Sequence, residues 1–208
     1  MTIPIDTWLA FVVASLAIEL TPGPNMGYLA VLSASRGRRA GYAATAGVGL
    51  GLAIVGIAPA LGLAALISNS RLIYEGLRWA GVAYLLWLAW EGWNDRAELS
   101  PDTADGVDPS TYFRRGLITN LLNPKAAIFF VAVLPTFIDA SKPVLGQTLA
   151  LSMTYVAVAT VVHAGIATLA GAVRHLLVGK PRLRDALRRG LALSLAAIAI
   201  WFAVSTAH

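Results

Sequence analysis

Long runs of apolar residues alternate with short polar or basic stretches along the whole chain. Six of these runs can each form a membrane-spanning helix, which needs about 20 residues. Their approximate bounds are 5–33, 40–67, 72–93, 113–138, 145–173 and 190–204. The pattern therefore predicts an all-α membrane protein with six transmembrane helices.

The first apolar run is interrupted in its middle by Thr21, Pro22, Gly23, Pro24 and Asn25. Two prolines within three residues remove two backbone donors, so the helix should break or kink there. Bare backbone groups in hydrocarbon cost several kcal/mol each, and such a break is tolerated only inside protein or beside a wet cavity. A packed proline kink is the plainer interpretation. The flanking polar residues favour a binding site instead.

A second interruption, at Asn123, Pro124 and Lys125, lies in the fourth run. Pro22 and Pro124 are 102 residues apart, which is close to half the chain. We therefore expect a single transmembrane domain, 1–208, built from a first three-helix repeat at 1–93, a polar cytoplasmic linker at 94–112 and a second repeat at 113–208. Because each repeat has an odd number of spans, the second must be inverted relative to the first.

Composition agrees with a membrane protein. The chain is 57% hydrophobic with a mean hydropathy of +0.69, and only 13% of its residues are charged, compared with about 25% in soluble domains. It has no cysteine, which excludes disulfides and thiolate metal sites. No metal site or cofactor is expected, and no protease motif such as His-Glu-x-x-His is present, so we expect a protein that is not an enzyme.

The basic residues predict the orientation, because Lys and Arg concentrate in cytoplasmic loops. Twelve of the sixteen lie in loops after the first, third and fifth runs. They are Arg36, Arg38, Arg39, Arg96, Arg114, Arg115, Arg174, Lys180, Arg182, Arg184, Arg188 and Arg189. We expect these loops in the cytoplasm and both termini outside. Topology in a lipid bilayer thus accounts for the net charge of +5, without a nucleic-acid partner.

Two charged residues are predicted to lie deep in the membrane. Lys125 is ten residues beyond Arg115, or about 15 Å inward at the helical rise, and Glu19 lies at a similar depth in the first run. Each charge is costly there, by about 2.5–3.5 kcal/mol, so the two are expected to lie close and to compensate each other. A structural ion pair, or a snorkelling Lys125, would also satisfy the pattern. As a functional hypothesis, Glu19 takes up a proton and Lys125 supplies a counter-charge.

The polar groups at the two breaks suit an amino acid. Asn25 and Asn123 offer donors and acceptors, and broken helix ends present partial charges of both signs. Together they can hold an ammonium and a carboxylate at once. His163, which has no second histidine nearby in the sequence, is interpreted as a structural, hydrogen-bonded residue.

The motifs around both breaks resemble those of the LysE family of amino-acid exporters, especially its homoserine/threonine-resistance branch. The similar stretches are 19–25, 36–41, 47–51, 81–85 and 123–130. The resemblance implies six helices and proton-dependent export of small amino acids across the bacterial cytoplasmic (inner) membrane. It gives functional weight to both breaks, and the expected substrate-binding residues are Thr21, Pro22, Pro24, Asn25, Asn123, Pro124 and Lys125.

Secondary active export of a small amino acid, such as homoserine or threonine, is therefore the expected function, with protons as the coupling ion. The alternative is a passive channel for small polar solutes, which would lack coupling. The sequence leaves open which amino acid is exported and whether two copies associate as a homodimer.

Overall fold

The chain folds into a bundle of helices. The computed structural model describes residues 3–21, 23–57, 71–94, 108–173 and 181–205, and these contain eight α-helices and no strand. The helices are α1 (Ile5–Leu20), α2 (Pro24–Arg36), α3 (Arg38–Ile57), α4 (Arg71–Asn94), α5 (Pro109–Leu121), α6 (Pro124–Ile128), α7 (Val144–Val173) and α8 (Pro181–Ser205). A π-helical turn (Phe129–Val133) and a 3-10 turn (Leu134–Phe137) continue α6.

The first predicted interruption separates α1 from α2. The α1 helix ends at Leu20, and the side-chain hydroxyl of Thr21 donates back to the carbonyl of Ala17 at 2.9 Å. The α2 helix then begins at Pro24 and is bent by 59° from α1. Pro24 occupies the first helical position, where a missing N–H removes no helical hydrogen bond. Pro22 itself lies outside the described residues.

The second predicted interruption separates α5 from α6, with a bend of 52°. Asn123 caps α6 through its Oδ1 atom, which accepts a hydrogen bond from the backbone N–H of Lys125 at 3.1 Å. Pro124 is again at the start of the new helix. Both breaks therefore have the same local cause, a helix restarted at a proline.

By length and composition, α3 and α7 can each cross a membrane. Counting each bent pair as one further span gives four. Many large apolar side chains also face outward, such as Val13, Val161 and Leu169, which are 65%, 73% and 75% exposed. Apolar exposure on this scale is typical of a surface that meets lipid.

Two element boundaries differ from the sequence prediction. The prediction placed a basic loop up to residue 189, but α8 already begins at Pro181, so that prediction was wrong for 181–189. Arginine and leucine are good helix formers, and a helix can extend past the apolar layer that hydropathy detects. Similarly, α5 begins at Pro109 within the predicted linker, whereas residues 95–107 and the predicted end of the second helix, 58–67, lie outside the described residues.

Glycines bring α3 and α5 into backbone contact. A Cβ atom on Gly47 would overlap the carbonyl oxygen of Phe113, and one on Gly116 would overlap that of Ala44. Small residues at such crossings let transmembrane helices approach closely. The contact holds α5, and with it the second break, against α3.

Candidate functional site

The two helix breaks meet at one small cavity, which α7 closes from the side. Its volume is about 10 Å³, room for about one water molecule. The lining residues are Glu19, Gly23, Asn25, Met26, Asn123, Lys125, Ala126, Tyr155 and His163. Both breaks therefore share one small polar site with Glu19 and His163, which come from distant parts of the chain.

Glu19 is the buried acid of the site and is held by two side chains of α7. It is 5% exposed. Its Oε1 accepts a hydrogen bond from the hydroxyl of Tyr155, and its Oε2 lies 3.1 Å from Nε2 of His163. A buried carboxylate needs such partners, because an unpaired charge away from water is costly.

Lys125 brings a positive charge to the same cavity. Its Nζ donates a hydrogen bond to the backbone carbonyl of Thr21 at 2.8 Å, where the end of α1 leaves carbonyls without helical partners. Its stem packs beside Gly23, since a Cβ there would lie 3.3 Å from Cδ of Lys125. An ammonium has three N–H donors, and the Thr21 bond uses one.

Glu19 and Lys125 make their hydrogen bonds with other groups and not with each other. The carboxylate bonds to Tyr155 and His163, while the ammonium bonds to the Thr21 carbonyl. Both charged groups nevertheless line the same cavity. The two opposite charges therefore lie close together without a direct hydrogen bond between them.

Asn25 and Asn120 form a buried amide pair beside these charges. Nδ2 of Asn25 donates to Oδ1 of Asn120 at 2.8 Å. Among the described residues, Oδ1 of Asn25 and Nδ2 of Asn120 are buried without a hydrogen-bond partner. An unpaired buried polar atom costs about 1–3 kcal/mol, so Asn25 offers an acceptor that is ready for a ligand in the cavity that it lines.

An aromatic cluster, consisting of Phe11, Phe129, Phe130, Phe137 and Tyr155, adjoins one side of the cavity. The rings of Phe129 and Tyr155 stack with centroids 3.9 Å apart, and Phe130 meets Tyr155 edge-on at 5.2 Å. Phe11 precedes Glu19 by eight residues along α1, which is about 12 Å toward the start of that helix. The cluster therefore lies between the cavity and the end of the bundle where α1 and α7 begin.

The predicted site residues take different places around the cavity. Asn25, Asn123, Lys125 and Glu19 line the cavity. Thr21 contributes its backbone carbonyl while its side chain is exposed, and Pro24 and Pro124 start the new helices. Pro22 lies outside the described residues.

Sequence reasoning missed Tyr155 and Asn120 and gave His163 only a structural role. A signal was present for two of them, because Tyr155 and His163 are eight residues apart and so share one face of α7. Polar or buried residues recur along that face at Thr148, Ser152, Tyr155, Ala159 and His163.

A helical bundle with a small polar site between two broken helices is typical of membrane transport proteins. The chain matches the LysE type translocator family over residues 16–206 and belongs to that family.

Three curated relatives are similar in sequence to this chain over most of their length. A homoserine/homoserine lactone efflux protein of Salmonella typhimurium is 34% identical over 180 residues, covering 86% of this chain and 87% of the relative. A leucine efflux protein of Salmonella choleraesuis is 30% identical over 178 residues, covering 83% of each chain. A membrane protein of Vibrio cholerae is 33% identical over 167 residues, covering 80% of this chain and 82% of the relative. No solved structure matches the chain.

Proposed function

We propose that this protein is a secondary active exporter that moves small amino acids out of the cytoplasm in exchange for protons. The observation that carries the proposal is the small cavity in which Glu19 and Lys125 present opposite charges without a hydrogen bond to each other. A zwitterionic amino acid has the complementary pair of charges on neighbouring atoms.

The cavity suggests how each end of the substrate binds. Lys125 has unused N–H donors for a carboxylate, and charge-assisted hydrogen bonds of this kind are the strong ones. Glu19 and the unpaired Oδ1 of Asn25 are acceptors for an ammonium. The substrates in the names of the relatives, homoserine, homoserine lactone and leucine, differ in shape but share an α-amino group. Recognition of that group by Glu19 and Asn25 would serve all three.

The polar groups around the cavity suggest that substrate enters from the cytoplasmic side. The aromatic cluster closes the end where α1 begins. Toward the other end of α2, the buried hydroxyls of Ser33 and Thr45 have no hydrogen-bond partner among the described residues. Groups of this kind can be satisfied by water when the helices part.

We further propose that the chain is one transmembrane domain of two inverted repeats, 1–93 and 113–208, with six spans in the bacterial inner membrane. Similar bends of 59° and 52° at breaks half a chain apart support the repeat. The positive-inside rule supports cytoplasmic basic loops and outside termini. A reporter fused after His208 is expected to be active only outside the cytoplasm, and a cytoplasmic signal would contradict this topology.

Everted membrane vesicles test the function, because their outer surface is the cytoplasmic face. With an acidic interior, vesicles containing the protein are expected to accumulate labelled homoserine or leucine against a gradient, and a protonophore should abolish the accumulation. Vesicles without the protein are the control. Flux that only equilibrates the amino acid and ignores the protonophore would favour the passive channel instead.

A further inference from the structure

His163 lies in the cavity wall with one ring nitrogen paired and the other unpaired, which a purely structural role does not require. It is 1% exposed and lies in the cavity wall, and its Nε2 faces Oε2 of Glu19 at 3.1 Å. Its other ring nitrogen, Nδ1, is buried without a hydrogen-bond partner among the described residues. A neutral imidazole that shares a proton with Glu19 through Nε2 has an acceptor lone pair at Nδ1.

We propose that His163 is the site at which the exchanged proton binds, with Nδ1 as the accepting atom. Through its contact with Glu19, the charge of His163 changes how the site binds the substrate ammonium. The inference rests on the proposed function. In each cycle a proton from the outside forms an N–H bond at Nδ1, and that proton leaves to the cytoplasm before an amino acid binds. No electron transfer or further reactant is involved.

The charges of the cavity wall explain why proton and substrate exclude each other. Its titratable groups are Glu19 from α1, Lys125 from α6, and Tyr155 and His163 from α7, whereas α2 contributes Asn25 and Met26. With neutral His163, Glu19 and Lys125 cancel, and a zwitterion finds a complementary site. With protonated His163, the cavity carries an extra positive charge beside Glu19, and the ammonium of a substrate meets repulsion that is strong away from water.

Tyr155 links this proton site to the aromatic cluster. Its hydroxyl donates to Glu19 while its ring stacks on Phe129. When Glu19 turns from Tyr155 toward a substrate ammonium, Tyr155 loses its hydrogen bond and keeps only the stacking on Phe129. A change in the charge of His163 therefore alters the contacts of the aromatic cluster on the outer side of the cavity.

The first test compares driven transport with exchange in proteoliposomes containing the full chain. His163→Gln keeps a side-chain N–H for Glu19 but cannot take up a proton. We expect proton-driven uptake of labelled homoserine to fall by about tenfold or more, within the usual range of coupling between two sites, while exchange of labelled for unlabelled homoserine at equal pH is retained. Ser152→Ala is the matched control, a buried polar residue of the same helix outside the cavity lining.

The second test does not depend on how His163→Gln folds. The chain has three histidines, so the His175→Gln/His208→Gln variant leaves His163 as the only imidazole for nitrogen-15 NMR. We expect the Nδ1 chemical shift of the purified protein to be that of a protonated nitrogen in mildly acidic solution. When homoserine is added, it should change to that of an unprotonated nitrogen.

The inference is overturned if His163→Gln still accumulates homoserine as the wild type does, or if Nδ1 keeps the same protonation state with and without homoserine. If the wild type neither exchanges nor accumulates any amino acid, the proposed function fails, and the inference falls with it. The exchange assay therefore separates the two failures.

Discussion

Export is expected to be lost when Lys125 is replaced by methionine. Methionine preserves most of the apolar stem that packs beside Gly23, but it removes the ammonium from the cavity. A substrate carboxylate would then be buried without its cation, and the carbonyl of Thr21 would lose its donor. Hydrogen bonds to charged groups contribute about 1.5–3 kcal/mol each, so we expect uptake into everted vesicles to fall by about 100-fold.

Lys142 provides the matched control for this change. It lies in the exposed segment before α7, where its Nζ pairs with Asp139 at 3.0 Å. Hydrogen bonds from Ser141 and Lys142 lower the pKa of Asp139 to about 2, so this carboxylate stays charged throughout the pH range of a transport assay. Lys142→Met should keep wild-type uptake. Equal uptake by both lysine variants, at equal amounts of protein in the membrane, would remove Lys125 from the substrate site.

Replacing Glu19 with glutamine is expected to be nearly as damaging, but for a different reason. Glutamine has almost the same shape and can still accept the hydroxyl of Tyr155, so the helices should assemble. It cannot carry the negative charge that an ammonium needs, and its amide would present N–H to Nε2 of His163. We expect loss of proton-driven uptake by about 100-fold, on the same free-energy scale for a charged hydrogen bond.

Asp6→Asn is the control for Glu19→Gln, because Asp6 is an exposed acid in the first turn of the same helix. It should transport as the wild type does. The decisive measurement is uptake normalised to the amount of folded protein, followed by size-exclusion chromatography. A Glu19→Gln variant that retains half of the wild-type rate would show that this carboxylate neither binds the ammonium nor takes part in coupling.

The local features of the site could be predicted from sequence, because their causes are local. Proline disrupts a helix interior but suits the first position of a new helix, so Pro24 and Pro124 marked both breaks. The cost of burying a charge also indicated that Glu19 and Lys125 lie close together, and both line the same cavity.

The partners of these groups could not be predicted, because they depend on tertiary packing. Lys125 bonds to a backbone carbonyl at Thr21, and every residue carries such a group, so no side-chain pattern indicates it. Tyr155 and His163 come from α7, more than a hundred residues away from Glu19. Only the assembled helices show that they are the partners of the buried acid.

The tight fit of the cavity sets the pace at which such a carrier can work. A space for about one water molecule cannot admit an amino acid unless whole helices separate, and motions of that size take microseconds to milliseconds or longer. Flux should therefore saturate as substrate rises, and it should fall steeply on cooling. Stiffening the bundle would slow delivery even with every binding group intact.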